Sequence, residues 1–406
     1  MIPGPDTLQA LAGWEGPSSH DVEPWRCPRT QVWVVESDAL VREVLSHPEH
    51  YSSKVSLSAL DPGFPAAEVE AIHRAEGVRF TRTLQTNDSP DHRRFRSLVD
   101  KVFTPSRAEA IAPEIRGLCR ELLSAWPDGS VFDAVAGYAM PLPLELIAQQ
   151  LGVPREDHAL LRSWSDAAIT AIGLGATREQ HLDAARQAAA FQRYFRGVLG
   201  DPLRRPEGSL IALIAAAAGE EGSRLDEAEQ LSLLHTLMIA GHETTASTLA
   251  SAMLALATCE GLMDRLRGEG APVKRFVEDV LRIHAPVQGL FRRVREPARL
   301  GGADLAVGDL LCLRLGAANR DPARHASSEL SSVPMGGLNH LSFGLGLHHC
   351  IGAALARKEL VLAVEALLGR FQSLRLAVPL ESLGYTRSVM TRGLIALPLI
   401  GVEHAA

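Results

Sequence analysis

The sequence predicts a helix-dominated α+β fold, and two patterns along the chain support this prediction. Residues 90–270 are mostly helical in pattern, with breaks at prolines and glycines such as Pro154 and Pro206. Towards the C-terminus, short apolar runs such as residues 310–315 and 394–400 alternate with turns, which is typical of strands. The chain is therefore predicted to be mainly helical with a small β-rich part.

Helical and strand regions interleave without a linker or repeat, so residues 1–406 are predicted to form a single domain. Residues 1–30 are rich in proline, glycine and polar residues and predict an N-terminal arm. Residues 31–35 (QVWVV) predict a short strand, and residues 38–46 predict a helix. Residues 55–90 mix proline, glycine and charge without a clean period, which indicates a long loop of the kind that often binds ligands.

Composition and charge argue against several classes of protein. The chain is 46% hydrophobic and 22% charged, which is typical of a globular protein, and its net charge of −7 argues against nucleic-acid binding. The N-terminus lacks a basic start followed by an apolar stretch, so no signal peptide or membrane anchor is predicted. The five cysteines are widely spaced without a CxxC pair, which favours a reducing cytoplasm over a disulfide framework.

The apolar segment of residues 231–257 predicts a long helix that is buried on most of its faces. Its residues are apolar or small nearly all round, and as a helix it would span roughly 40 Å. A membrane-spanning helix is the alternative, but it would place His235, His242 and Glu243 near the middle of a bilayer, which is energetically costly. A central helix of a soluble protein is therefore preferred. Burial alone does not explain the polar cluster that starts at Glu243.

A glycine-rich loop leads into Cys350, which stands at the start of a helical stretch. Residues 343–357 read FGLGLHHCIGAALAR, and a helix is predicted over residues 353–371. A cysteine in this place lies near backbone N–H groups and the positive end of the helix dipole, both of which stabilise a thiolate. Gly344 and Gly346 allow backbone angles that other residues resist, and they let the loop lie close to a flat cofactor.

Two other roles are open to Cys350 besides that of a metal-binding thiolate. Zinc is the rival metal, but His348, His349 and Cys350 are too close in sequence to form a tetrahedral set, and no partner pair lies nearby. A buried structural cysteine is the more common role of a single cysteine. The glycine-rich setting before a helix favours the thiolate.

The segment that contains Cys350 resembles the haem-binding signature of the cytochrome P450 family. That signature reads Phe, Gly, any, Gly, any, His, any, Cys, any, Gly, and residues 343–352 match it at every fixed position. The resemblance implies haem b with Cys350 as the axial thiolate and metal ligand. It also implies that Phe343 packs beside the sulfur, that Gly344 lies against the haem and that His348 bonds a propionate. Thiolate ligation in this family favours O–O cleavage.

The hexapeptide AGHETT, which starts at Ala240, resembles the family's Ala-Gly-any-acid-Thr motif at every position. Reductive splitting of oxygen needs two protons, which calls for a hydroxyl near the iron and an acid linked to water behind it. By resemblance Thr244 is the hydroxyl, Glu243 is the acid, and Ala240 and Gly241 contact the cofactor. The alternative is a threonine that bonds back to a helix carbonyl, with Glu243 in an ion pair. His242 lies off this face and is interpreted as structural.

The two haem propionates need cationic or hydrogen-bonding partners. His92 and Arg96 lie four residues apart on one helical face, and they resemble the family's His-x-x-x-Arg helix that contacts haem. Arg292 precedes a Gly-Gly pair by nine residues, where the family usually has a propionate-binding arginine, and Arg293 is the fallback. The alternative for Arg292 is a solvated surface charge.

Two positions depart from the family's pattern. The family has Glu-x-x-Arg on the helix before its first C-terminal strand, and here Asp279, one methylene shorter, stands three residues before Arg282. Glu278 lies one position off that face, although it is four residues before Arg282 and could pair with it. By register, Met335 takes the place of a further arginine of this network. We predict an ion pair between Asp279 and Arg282.

The resemblance spans nearly the whole chain and implies a triangular, helix-rich body with a small β-rich side and haem buried between two helices. It implies an oxidoreductase, a monooxygenase that uses O2 to oxidise, most simply to hydroxylate, a small organic molecule. No flavin or iron–sulfur segment fits within 406 residues, so electrons are expected from a separate protein, by family analogy a ferredoxin with its reductase. A cytoplasmic monomer is expected, with no nucleic-acid or membrane partner.

Two alternative functions stay open at this point. The same haem-thiolate oxidant could perform ring coupling, nitration or desaturation. A non-catalytic haem protein is the second alternative, but such a protein has no need of an acid–alcohol pair like Glu243 and Thr244. By resemblance the substrate walls include residues 60–86, 164–195 and 287–290, which mix apolar residues with charges. That mixture fits a moderately polar natural product and a role in its biosynthesis.

Overall fold

The computed structural model describes residues 23–28, 30–56, 61, 63–78, 80–172, 176–216, 225–268, 272–325, 339–386, 388 and 390–404. In chain order the α-helices are α1 (Asp38–Ser46), α2 (Ala66–Glu76), α3 (Asp91–Val99), α4 (Pro105–Ala110), α5 (Ala112–Ser124), α6 (Pro141–Gln150), α7 (His158–Ile172), α8 (Arg178–Gly200), α9 (Leu210–Ala216), α10 (Glu227–Thr258), α11 (Leu262–Leu266), α12 (Pro272–Ile283), α13 (Leu315–Ala318) and α14 (Ala353–Arg370). The strands are β1 (Trp25–Arg26), β2 (Trp33–Val35), β3 (Tyr51–Ser52), β4 (Val131–Asp133), β5 (Leu290–Val294), β6 (Ala298–Leu300), β7 (Ala303–Leu305), β8 (Leu310–Leu313), β9 (Phe371–Leu376) and β10 (Pro398–Glu403).

The described residues divide into two compact units. The larger unit takes those within Met1–Tyr51, Phe103–Pro143 and Glu243–Ala406, and the smaller unit takes those within Ser52–Val102 and Leu144–His242. Helices α6 and α10 each contribute residues to both units, so the division does not follow a linker in the sequence.

Sheets and long helices build the larger unit. Its main sheet has the strand order β1-β2-β8-β5-β3, with β2 and β8 parallel and β5 and β8 antiparallel. Apolar side chains of this sheet and of α1, among them Val35, Val41 and Leu313, form a fully buried core cluster. Helix α14 packs against α5 and α12, and the hydroxyl of Tyr138 donates to the carbonyl of Ala363 on α14 at 3.0 Å. These contacts fix the helix that follows Cys350.

Helix packing dominates the smaller unit. Helices α7 and α8 pack against each other along their lengths, and α2 packs on α8. The ring of Trp164 on α7 contacts Phe191 and Phe195 on α8 at 5.7 Å and 6.3 Å between ring centroids. A capping box of Thr177 and Gln180 satisfies the first backbone N–H groups of α8. Burial of these rings therefore stabilises the helix pair.

Most of the long elements confirm the sequence prediction. Helix α1 has the predicted bounds, α10 contains residues 231–257, and α14 ends one residue before the predicted end at 371. Within the described residues, no helix is long and apolar enough to cross a membrane. Strand β10 lies later than the predicted strand over residues 394–400, because its partner β4 pairs only from Pro398 onwards.

Two predictions for the N-terminal third need correction. The predicted arm of residues 1–30 includes strand β1, in which Trp25 pairs with Val34 of β2; residues 1–22 lie outside the described part of the chain. The predicted loop over residues 55–90 contains helix α2, none of whose residues is buried. An apolar period could not reveal such a helix, since it depends on the helix propensity of alanine and glutamate and on surface ion pairs.

Candidate active site

The cysteine loop, defined as residues 339–352, is folded back on itself by backbone hydrogen bonds. The N–H of Cys350 donates to the carbonyl of Phe343 at 2.8 Å, and the N–H of Gly344 donates to the carbonyl of Leu341 at 2.8 Å. The two bonds hold the cysteine and the phenylalanine side by side, although seven residues separate them in sequence.

Two glycines give the cysteine loop its shape. Gly344 and Gly346 have φ values of 68° and 67°, in the left-handed region that favours glycine. Gly346 is also crowded, because a Cβ there would lie 2.7 Å from the carbonyl oxygen of Leu45. Gly346 begins a 3-10 turn, Gly346–His348, that ends on the half-buried His348. The glycines predicted for a tight loop are therefore at positions that require them.

Cys350 differs from the other cysteines in its exposure. Its side chain is exposed, whereas Cys27, Cys119 and Cys312 are buried and Cys259 is half-buried. Burial raises the pKa of Cys119 to about 11 and that of Cys312 to about 12, so these thiols stay protonated near neutral pH. A metal-binding thiolate needs a thiol that can lose its proton and reach the metal. Cys350 is exposed and so is open to a ligand, and its place before α14 favours loss of the proton.

A support cluster of four side chains, Glu278, His340, Phe343 and Arg357, holds the cysteine loop against α12 and α14. The Glu278 carboxylate accepts from Nε of Arg357 at 2.7 Å and from Nη2 of Arg357 at 3.1 Å. It also bonds Nε2 of His340 at 3.1 Å. The Arg357 guanidinium lies over the ring of Phe343, with 4.3 Å between Cζ and the ring centroid. Arg357 therefore links a carboxylate on α12 to the ring that precedes the cysteine.

The electrostatics of the support cluster favour an ionised Glu278. Burial by itself raises the pKa of this carboxyl, but hydrogen bonds from His340 and Arg357 outweigh burial and bring the pKa to about 2. The N–H of Ser342 donates to Nδ1 of His340 at 3.2 Å, so the ring proton lies on Nε2 and points to the carboxylate. Both oxygens of the Glu278 carboxylate and both ring nitrogens of His340 thus have defined partners.

Backbone groups of the cysteine loop are tied to the same region through Asn319. Oδ1 of Asn319 accepts from the N–H of Leu341 at 2.6 Å, and Nδ2 donates to Oγ of Ser342 at 2.8 Å. The Ser342 hydroxyl donates in turn to the carbonyl of Leu281 at 2.6 Å, and Arg282 donates to the carbonyl of Asn319 at 3.0 Å. Arg282 therefore supports the loop indirectly.

The structure shows which partners the acidic residues before Arg282 have, at the place where the chain departs from the family's pattern. Glu278, which could have paired with Arg282, is bound to Arg357 and His340 instead. Burial lowers the pKa of Arg282 and the charge of Asp279 raises it, so Asp279 and Arg282 attract each other; the direct ion pair stays a prediction. Met335 lies outside the described residues.

Helix α10 is buried along most of its length but has an open stripe on one face. Ala240 is exposed, while Met238, His242 and Thr245 are buried. Apart from Gly241, the residues within 235–244 that are not buried come in adjacent pairs, and each pair follows the previous one by four residues, which places them on one face of the helix. The open stripe consists of His235, Thr236, Ile239, Ala240, Glu243 and Thr244. Both residues of the predicted acid–alcohol pair therefore lie on it.

The motif residues on α10 have defined neighbours. The Thr391 hydroxyl donates to Oε1 of Glu243 at 3.4 Å, a partner that the sequence did not indicate. A Cβ on Gly241 would lie 3.1 Å from the side chain of Ile147, so glycine allows close packing there. Nδ1 of the buried His242 lies 3.3 Å from the hydroxyl of Ser165, and burial lowers the pKa of His242 to about 4. Such a neutral, bonded histidine fits a structural role.

The predicted propionate partners occupy two separate elements. His92 is buried on α3, where burial and then the charge of Arg96 lower its pKa, and Nε of Arg96 bonds Asp100 at 2.6 Å. Arg292 is buried on β5 and donates to the carbonyl of Phe291 at 2.8 Å. The fallback, Arg293, points to the other face of the strand and donates to the carbonyl of Gly308 at 3.0 Å. Burial distinguishes Arg292 from a solvated surface charge.

Comparisons with known proteins decide the family. The sequence profile described as Cytochrome P450 matches residues 201–329. The chain is 32% identical over 335 residues to the polyketide biosynthesis cytochrome P450 PksS of Bacillus subtilis, which covers 82% of this chain and 81% of PksS. This chain belongs to the cytochrome P450 family. It is also 35% identical to mycinamicin IV hydroxylase/epoxidase of Micromonospora griseorubida, over 78% of this chain and 79% of that one.

The fold of this cytochrome P450 agrees with solved structures of the family. The tirandamycin C-bound P450 monooxygenase TamI superposes with a TM-score of 0.80 at 31% identity, covering 92% of this chain and 90% of TamI. The predicted fold class is therefore confirmed. The chain is an oxidoreductase, a haem-dependent monooxygenase whose cofactor is haem b with an axial cysteine thiolate. Its co-reactants are a small organic molecule, O2 and electrons from a redox partner.

The residues of this cytochrome P450 fit such a cofactor. Cys350 is exposed on a loop bent by left-handed glycines, and a Cβ on Gly352 would lie 3.9 Å from its sulfur. Among the residues that the structure describes, no group of three or more histidines, cysteines, aspartates or glutamates is arranged to hold a metal ion. The single thiol of Cys350 therefore suits a cofactor whose metal needs one ligand from the protein, whereas a structural zinc ion needs four.

The two units hold different parts of the predicted site. The larger unit contains Phe343, Gly344, His348, Cys350, Arg292, Glu243 and Thr244, and the smaller unit contains His92, Arg96, Ala240 and Gly241. Sequence reasoning missed Arg357, His340 and Thr391. Arg357 follows Cys350 by two helical turns, which is a weak signal, and the pairing with Glu278 spans 79 residues. No local pattern predicts such a contact.

Proposed function

We propose that Cys350 is the thiolate that binds the haem iron and that the enzyme inserts one atom of O2 into a C–H bond of a natural product. The observation that carries this proposal is the exposed cysteine on a loop held by Phe343, before α14, in a chain whose other described cysteines are buried or half-buried. The balanced reaction joins substrate, O2, two electrons and two protons to give an alcohol and water.

Several of the chain's own residues would hold the haem. Arg292, His348, His92 and Arg96 supply cationic or hydrogen-bonding groups for the propionates, which a buried guanidinium such as that of Arg292 can bind in a bidentate way. Phe343 and Gly344 would lie on the cysteine side of the haem, and Ala240 and Gly241 of α10 on the other side. Bound haem supplies O2 binding and the oxidising power that no amino-acid side chain has.

Glu243 and Thr244 would deliver the protons. Both lie on the open stripe of α10, where a ligand can reach them. The hydroxyl of Thr391, 3.4 Å from Oε1 of Glu243, donates to the carboxylate and so helps to orient it. A positioned acid and alcohol are what a step that consumes two protons requires.

A ferredoxin with its reductase is the proposed electron donor, and the enzyme is proposed to act as a cytoplasmic monomer with one catalytic domain over residues 1–406. Support for one domain comes from α6 and α10, each of which contributes residues to both units. A role in natural-product biosynthesis is supported by the relatives that are named for polyketide biosynthesis and for mycinamicin. The name of the mycinamicin relative includes epoxidase, which favours oxygen insertion into a C=C bond as the second candidate reaction.

The proposal is tested on Cys350→Ser. This variant should lose the red-shifted absorption band of the reduced carbon-monoxide complex from which the family takes its name, because a serine oxygen cannot replace the thiolate. Cys259→Ser, at the end of α10, is the matched control and should keep the band. If the band persists in Cys350→Ser, another residue binds the iron. Steady consumption of NAD(P)H and O2 with a ferredoxin and its reductase separates a monooxygenase from a non-catalytic haem protein.

A further inference from the structure

His235 stands on the open stripe of α10 in an apolar setting. Its ring contacts Phe191 of α8 at 5.0 Å between ring centroids, edge to face, and Phe80 at 5.2 Å. On its other side, Phe80 contacts the ring of His73 at 5.6 Å. Phe80 is 43% exposed, so the apolar surface beside the imidazole is open.

The position of Phe80 next to His235 is fixed by the segment that follows it. The N–H of Thr81 donates to Oγ of Ser232 at 3.0 Å, and the hydroxyl of Thr83 lies 2.8 Å from that of Thr236. Both partners are on α10, on either side of His235 in sequence. Because these bonds tie the segment to the helix, the aromatic surroundings of the imidazole are part of the folded protein.

The imidazole of His235 is uncharged and lacks a hydrogen-bond partner among the described residues. Burial lowers its pKa to about 4, so near neutral pH one ring nitrogen donates and the other accepts. Two of its neighbours in the described part of the chain are the rings of Phe80 and Phe191. His242, two turns further along the same helix, differs in that it is buried, with Ser165 and the carbonyl of Met238 within bonding distance of its Nδ1, while its Nε2 has no partner among the described residues. The ring of His235 is half-buried beside the open surface of Phe80, so its nitrogens can bond a molecule that lies on the open stripe.

We propose that His235 is a specificity-determining residue that hydrogen-bonds a hydroxyl or carbonyl oxygen of the substrate. This inference rests on the proposed function, since it assigns a ligand to the open stripe. A neutral imidazole suits an uncharged oxygen better than a carboxylate or an amine, because it brings no charge to pair with either. The phenylalanine rings would cover the carbon skeleton next to that oxygen.

The position of His235 along α10 also bears on the size of the substrate. It precedes Ala240 by five residues and Thr244 by nine. At 1.5 Å per residue these separations are about 8 Å and about 14 Å along the helix axis. The recognised oxygen therefore lies well away from the carbon that is oxidised, which requires a molecule considerably longer than a monocyclic one.

The test uses the haem-loaded enzyme and a series of N-alkylimidazoles of increasing chain length that end either in a hydroxyl or in a methyl group. The imidazole head binds the iron and shifts the haem absorption band, which reports the dissociation constant. At the chain length that reaches His235, the hydroxyl compound should bind about fivefold tighter than its methyl counterpart. His235→Phe should remove this preference, and His235→Gln, which keeps a donor and an acceptor, should restore part of it.

His242→Gln is the matched control, because the changed histidine lies on the same helix but is bonded within the protein. It should keep the wild-type hydroxyl-to-methyl ratio even if it lowers the melting temperature. An equal ratio in wild type and His235→Phe at every chain length overturns the inference, and so does a haem-loaded enzyme whose band no compound shifts. Failure of the proposed function has a different signature, namely retention of the carbon-monoxide band in Cys350→Ser.

Discussion

The cysteine loop and the open stripe of α10 differ in whether a polar side chain such as that of His340 or His235 has hydrogen-bond partners within the described part of the protein. In the loop, Glu278, His340, Ser342 and Asn319 bond one another or the backbone, so its geometry is fixed within the protein. On the stripe, His235 faces outward without such a partner among the described residues. The difference fits our proposals that the loop holds the thiolate in place and that the stripe binds the substrate.

This comparison predicts that loop variants alter stability and haem retention, whereas stripe variants alter chemistry and selectivity. The largest expected effect is that of Glu278→Ala. It leaves the buried His340 and the guanidinium of Arg357 without their carboxylate, which should lower the free energy of unfolding by about 3–4 kcal/mol. Haem occupancy and chemical denaturation measure the loss. Unchanged occupancy and stability would show that the support cluster does not hold the loop.

The charge of Glu278 predicts a pH dependence of stability. Its pKa is about 2 in the folded protein, against 4.5 for an ordinary glutamate side chain, so its ionisation stabilises the fold at pH values above about 4.5. That contribution, about 3 kcal/mol, is lost as the pH falls from about 4.5 to about 2. The difference in unfolding free energy between wild type and Glu278→Gln should therefore shrink over this window. A difference that is constant with pH would contradict the assigned charge.

On the open stripe, Thr244→Ala is expected to change the chemistry but not the fold. Loss of the hydroxyl should lower product formed per NAD(P)H consumed by about a hundredfold, with electrons released as hydrogen peroxide instead. Melting temperature and haem content should stay at wild-type values. Normal product yield would show that Thr244 is not in the proton path. Loss of haem would show that Thr244, like the support cluster, is needed to retain the cofactor.

The smallest effect is expected for Arg357→Lys. Lysine keeps the charge but loses the bidentate bond to Glu278 and the planar contact with Phe343, which should cost about 1 kcal/mol. The band position of the carbon-monoxide complex should also shift, because the ring beside Cys350 is held less firmly. Lys358→Gln is the control. It changes the next position of α14 and breaks the ion pair of Lys358 with the exposed Glu109, which should leave the stability unchanged.

Sequence reasoning was most successful where the signal is local. The spacing of Phe343, Gly344, His348 and Cys350 depends on a loop and a helix start, the bounds of α1 are those predicted, and the apolar segment 231–257 lies within α10. It failed for helix α2, whose exposed residues have no apolar period. It also left the partner of Glu278 undecided, because a carboxylate on a helix has several cations within reach in sequence, and only packing brings one of them near.

By itself the sequence determined the family, the cofactor and the candidate thiolate, since these depend on residue types at short fixed spacings. The tertiary structure alone decided that Glu278 binds Arg357 and His340, that Arg292 is buried while Arg293 turns to Gly308, and that His235 faces Phe80 and Phe191. These contacts join residues that are far apart in the chain. Their energies depend on burial and on the direction of each donor, and neither quantity exists before the helices and strands have packed.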